Sequence, residues 1–141
     1  MSKPIVIRKK DMTSQPFPGG GLLAKVIYPG TVGSVNLFVG LVEAEPGTSP
    51  HRWHKHTKDS LGEYDIVYPD EFEEFYFILN GKGTVQWKTS DGLVHEETVA
   101  EGDTIYFPRR ALEHQLMNTG HVKLVVLYGG TPTSQWIRKS P

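Results

Sequence analysis

Apolar and polar residues alternate with a period of two along much of the chain, most plainly over residues 34–43 (SVNLFVGLVE). Successive side chains of a strand point to opposite faces, so this period predicts a half-buried β-strand. Residues 24–28 (AKVIY) predict a shorter strand that stops at Pro29-Gly30, and residues 75–79 (FYFIL) predict an apolar one that stops at Asn80-Gly81. Residues 84–88 (TVQWK) follow, and then Ser90-Asp91-Gly92. Asp-Gly between apolar runs predicts a type I′ hairpin, whose two central residues both need positive φ. Residues 94–99, 104–107, 114–118 and 122–128 complete the set of strands, with Asn118-Thr119-Gly120 as the last tight turn. No segment carries a convincing helical period. Turn residues recur about every 8–12 positions, the rhythm of an all-β sandwich or barrel. The expected architecture is an antiparallel double-sheet jelly roll, one domain over residues 1–141, which protects its strand edges by wrapping around itself. Residues 1–20 form an arm or an edge strand, and the tail from Thr131 carries an isolated Trp136 that packs against the body.

Composition narrows the chemistry. A length of 141 residues suits one domain with a real core. There is no cysteine, so neither disulfides nor thiolate ligands are available, and any metal must be held by His, Asp and Glu. Those donors suit Fe(II), Mn(II), Ni(II), Zn(II) or Cu(II). Lys plus Arg number 15 and Asp plus Glu 16. This balance gives no electrostatic reason to expect a nucleic acid or an anionic membrane as partner. The start, MSKPIVIRKKDMTSQ, lacks the apolar core of a secretory signal, and no apolar run approaches a membrane span. A cytoplasmic protein is the expectation.

The densest chemistry is His51-Arg-Trp-His54-Lys-His56. On a strand, His54 and His56 aim both imidazoles at one face. His51 is out of phase with them and points elsewhere, or lies in the loop before the strand. The pair Glu73-Glu74 enters the strand of residues 75–79. With Glu74 turned inward, Tyr76 and Ile78 share its face. A third piece runs from Gly102 to Pro108 and on to His114 and Asn118, with Leu116 on the face of His114. Of Gln86 and Trp87, only one can face inward. Arg109 and Arg110 read as a polar rim loop, with pairing to a substrate anion as the alternative. His95 and His121 sit beside predicted turns and read as ordinary surface residues.

These pieces resemble the two motifs of the cupin superfamily. The first motif reads G-x5-H-x-H-x3-4-E-x6-G, and Gly47, His54, His56, Glu74 and Gly81 match it over residues 47–81. The second reads G-x5-P-x-G-x2-H-x3-N, and Gly102, Pro108, His114 and Asn118 match it over residues 102–118. The chain departs from the pattern in three places. One residue is added between Gly47 and His54. Arg109-Arg110 stands where a glycine is expected, again with one residue added before His114. Residues 57–73 separate His56 from Glu74, where the pattern has three or four residues. Glu63 or Asp65 of that insertion could therefore supply the carboxylate in place of Glu74.

The resemblance implies one divalent metal ion, Fe(II) favoured over Mn(II), Zn(II) or Ni(II), held by His54, His56, Glu74 and His114. It implies a metal-dependent enzyme acting on a small polar organic substrate, with an Fe(II) dioxygenase placed narrowly ahead of an isomerase, lyase or decarboxylase working through an enolate. A ligand-binding cupin without turnover is the non-catalytic alternative. The insertion joins two ligand-bearing strands, so it is expected at the barrel mouth as a lid that offers Glu63 or Tyr64 to the substrate, with Tyr76 a third catalytic candidate. A homodimer is expected on resemblance alone.

Overall fold

The computed structural model describes residues 2–17, 20–55, 66–67, 71–132 and 137–138. After a single 3₁₀ turn at Lys9–Asp11, β1 (Ser14–Phe17) and β2 (Gly21–Ile27) form a hairpin, and one helical turn, α1 (Pro29–Val32), leads to β3 (Phe38–Ala44). Then follow β4 (His51–His54), β5 (Ile66–Val67), β6 (Glu73–Asn80), β7 (Lys82–Lys88), β8 (Val94–Ala100), β9 (Thr104–Phe107), β10 (His114–Asn118), β11 (Leu124–Thr131) and β12 (Ile137–Arg138). Six strands form one sheet in the order β1-β2-β3-β11-β6-β9, and four form a second in the order β4-β10-β7-β8. A two-stranded pair joins β5 to β12. The paired strands run antiparallel throughout.

The two larger sheets enclose the core. On β3 the buried positions alternate as Phe38, Gly40, Val42 and Ala44, and on β11 as Leu124, Val126 and Tyr128. β6 buries Glu74, Tyr76 and Ile78, and β10 buries His114, Leu116 and Asn118. Phe38, Ile78, Leu116 and Leu124 are fully inside. Complete burial of such a side chain contributes roughly 1.5–3 kcal/mol. Polar members of these alternating sets, Glu74, His114 and Asn118, therefore arrive in the interior because their strands carry them there. Gly40 makes room for a core residue, since a Cβ built on it would collide with the Tyr128 hydroxyl and ring.

Several expectations need correction. The alternating run does not pair from its start. Residues 34–37 lie outside β3, with Val35 82% exposed, because β2 ends at Ile27 and the chain turns through α1 before β3 begins. That turn was not expected. Pro29 starts it with a preset φ, and the Thr31 hydroxyl accepts the Tyr28 N–H at 2.9 Å and donates to the Val26 carbonyl at 2.9 Å. The hairpin at Asp91-Gly92 is not type I′. Gly92 has φ 83° but Asp91 does not have positive φ, and Gly92 N–H donates to Thr89 O at 2.9 Å. The turn therefore centres on Ser90-Asp91, with Gly92 as the left-handed residue that follows. β11 also runs on through Gly129 and Gly130, which pair with both β3 and β6. Trp136 lies outside the described residues.

Candidate metal centre

β4 and β10 are neighbours, and His54 at the end of β4 is in register with His114 at the start of β10. The rings meet at 4.4 Å between centroids and 62° between planes. Both are buried, at 3% and 1% exposure. His54 Nδ1 lies 2.5 Å from Arg52 O, and His114 Nδ1 lies 2.7 Å from Leu112 O. A carbonyl can only accept, so each neutral ring carries its proton on Nδ1 and its lone pair on Nε2. This is the arrangement by which metal-binding histidines are oriented and held in one tautomer. As donors, the two rings suit a divalent ion of the first transition row or zinc.

Glu74 lies on the facing sheet, opposite Phe107 in the β6–β9 ladder. Residues directly opposite share a face. Phe107 accordingly stacks on His114, at 4.1 Å and 21°, and also meets Tyr76 at 4.6 Å. Glu74 is 3% exposed, and its charge also reaches Tyr28. Burial pushes the Tyr28 phenol well above its usual range, the Tyr128 hydrogen bond opposes the shift, and Glu74 adds to it. The two hydroxyls are 2.7 Å apart.

Of the expected ligands, His54 and His114 come together, and Glu74 shares the interior with them. Among the described residues, no group of three His, Asp or Glu side chains lies close enough to hold a metal ion. His56, Glu63, Tyr64 and Asp65 lie outside the described residues. So does most of the insertion, except residues 71–73 and Ile66–Val67, the latter paired with Ile137–Arg138 of the tail. Tyr76 is a fully buried core residue, one ring removed from His114. The His51 backbone opens β4 rather than lying in the loop before it. Arg109 and Arg110 both pair with Glu71, at 3.8 and 3.0 Å, on the surface.

One site residue, Phe107, escaped the sequence reading, and the open choice between Gln86 and Trp87 is decided by the strand register. Phe107 forms the wall behind His114. Trp87 is the inward member of its pair, opposite His114 on one side and His95 on the other, while Gln86 points outward and donates to Glu96 at 3.0 Å. His95 stacks on the Trp87 indole at 5.9 Å and 16°. The hairpin register was the signal for these last two, since a turn centred on Ser90-Asp91 pairs Trp87 with His95.

No protein-family model matches the sequence, and no curated protein matches it. Solved structures do share its fold. A predicted oxalate decarboxylase from Thermotoga maritima superposes with a TM-score of 0.66 at 19% identity, over 91% of this chain and 99% of that one. An oxalate oxidase gives 0.66 at 15% identity, over 92% of this chain and 59% of that one. A mutant oxalate decarboxylase from Bacillus subtilis gives 0.63 at 20% identity, over 88% of this chain. This chain spans only 28% of that decarboxylase's length. The fold is the cupin barrel. Among the described residues, no helix is long and apolar enough to cross a membrane.

Proposed function

We propose that the chain is a divalent-metal-dependent cupin enzyme that acts on a small organic substrate. The observation that carries this reading is the buried His54–His114 pair, with both Nδ1 hydrogens tied to backbone carbonyls. In this reading His56 and Glu74 complete a set of three imidazoles and one carboxylate. A bound divalent ion would act as a Lewis acid on a substrate oxygen, with an open position for substrate or water. The protein's own contribution is orientation and exclusion of water. Arg52 O and Leu112 O hold the two imidazoles in one tautomer. Phe107 fixes the plane of His114 and keeps solvent from its face. Glu63 and Tyr64 of the insertion are assigned to the substrate, with Tyr76 supporting Phe107 from behind.

Within this class we favour an Fe(II) dioxygenase. Three imidazoles and one carboxylate leave a divalent ion with net charge near +1, which draws an anionic or enolisable oxygen ligand. A decarboxylase is the second reading, supported by structural neighbours that bear that name. Metal analysis of protein purified without chelators separates them. Stoichiometric iron with O₂ uptake supports the first, and manganese with CO₂ release and no net O₂ uptake supports the second. Adding the right ion at about 100 times its Kd should stabilise the fold by about 2.7 kcal/mol, and His114→Ala should abolish the gain. Absence of metal, with unchanged stability in His54→Ala and His114→Ala, removes the proposal. A homodimer in the cytoplasm belongs to the same proposal, and sedimentation equilibrium tests the assembly.

A further inference from the structure

A cavity of about 290 Å³ opens between the edge of β9 and the β7–β8 hairpin, and His114 is one of its walls. Most of the remaining lining is apolar: Val85, Trp87, Ile105, Phe107 and Leu112 among others. Two of these walls are flat, since the Trp87 indole is stacked on His95 and Phe107 on His114. Flat aromatic walls favour an aromatic ligand, by burial and by ring–ring contact. Among the described residues the charged member of the lining is Glu97, an exposed residue of β8 opposite Val85. The lining holds no Lys or Arg among the described residues. Nearby cations are engaged elsewhere: Arg109 and Arg110 with Glu71, and Lys88 with Glu113 and the Trp53 ring. In the metal-free chain an entering carboxylate would meet Glu97 with no Lys or Arg among the described lining residues to offset it, whereas a hydroxyl can donate to it.

We propose that this cavity takes a neutral, ring-bearing molecule of the phenol class, and not a small dicarboxylate such as the one named for the structural neighbours. The ring lies between Trp87 and Phe107, and the hydroxyl is tolerated where an anion is repelled. This deepens the metal-centre reading, and rests on it for the reactive role of the His114 end. The volume is near the lower end of those that hold organic ligands, enough for one or two rings.

Isothermal titration calorimetry on the full chain, as purified and again after chelator treatment, tests it with 2-naphthol, 2-naphthoate and oxalate at pH 7. We expect 2-naphthol to bind at least tenfold tighter than either carboxylate to the chelator-treated chain, where no bound ion offsets Glu97. Ala111→Trp, which fills the cavity, should weaken 2-naphthol at least tenfold, and Glu97→Lys should reverse the order of naphthol and naphthoate. Equal or tighter binding of either carboxylate to the unmutated, chelator-treated chain, or no heat with 2-naphthol, overturns the proposal. The chelated arm keeps this outcome separate from the metal reading, which stands or falls on metal content.

Discussion

Asn118 closes the second motif, and the structure gives it a structural task whose loss can be sized. Its side chain is buried, with 1% of the residue exposed. Nδ2 donates to Ala44 O at 2.9 Å and to Val122 O at 2.8 Å, and Oδ1 accepts the Gly120 N–H at 3.0 Å. One amide thus ties the end of β10 to β3 and shapes the turn into β11. Asn118→Ala removes three hydrogen bonds of about 1 kcal/mol net each and leaves their backbone partners short of a bond. The expected loss is about 3 kcal/mol, or roughly 10 °C in Tm for a domain of this size. Asn118→Asp keeps the acceptor for Gly120 but turns a carboxylate toward two carbonyl oxygens in a buried place. It should cost at least as much as Asn118→Ala. Urea denaturation followed by circular dichroism gives both values. If both variants stay within about 0.5 kcal/mol of the parent, or if the Asp variant is the milder, the assignment of this amide as a buried structural bridge is wrong.

The buried Tyr28–Tyr128 pair predicts an alkaline limb. The Tyr28 value is raised in the folded chain, chiefly by burial, so the native state holds its proton where the unfolded chain releases it. The associated stability is complete below the unfolded value of about 10 and falls as pH rises above it. Denaturation midpoints between pH 8 and 11 should therefore drop more steeply for the parent than for Tyr28→Phe; parallel slopes would contradict this. Gly40→Ala drives a Cβ into the Tyr128 side chain and should cost roughly 1–3 kcal/mol by overpacking. Since the collision involves both the hydroxyl and ring carbons, Tyr128→Phe in the Gly40→Ala background should recover only part of the loss, as measured by thermal melts.

Local alternation was enough to place residues 104–107 and 114–118 as strands with their observed limits, and to set Glu74, Tyr76 and Ile78 on one face. It was the resemblance to the two cupin motifs, and not alternation, that brought His54 and His114 forward as partners. A period of two says which residues share a face, but not which face the opposite sheet will cover. Gln86 and Trp87 were equivalent for that reason. An Asp91-Gly92 type I′ turn would have paired Ser90 with Leu93 and Trp87 with Glu96. The observed turn, one residue longer, pairs Trp87 with His95 and sets it beside the cavity. A one-residue change in register reverses every side chain of a strand.

Residues 34–37 teach the same lesson from the other side. Their pattern is that of a strand, yet α1 carries the chain past the end of β2 before β3 can pair. The pairing of Ile66–Val67 with Ile137–Arg138 joins segments too far apart in the chain for any local signal to link them. What the sequence alone determined was the class of fold, which residues share a strand face and which imidazoles are candidates. Tertiary structure decided which nitrogen of each imidazole is held, which ring stands behind His114 and which residues line its cavity. Those depend on backbone carbonyls and on strands brought together from distant parts of the chain, and no pattern along one strand encodes them.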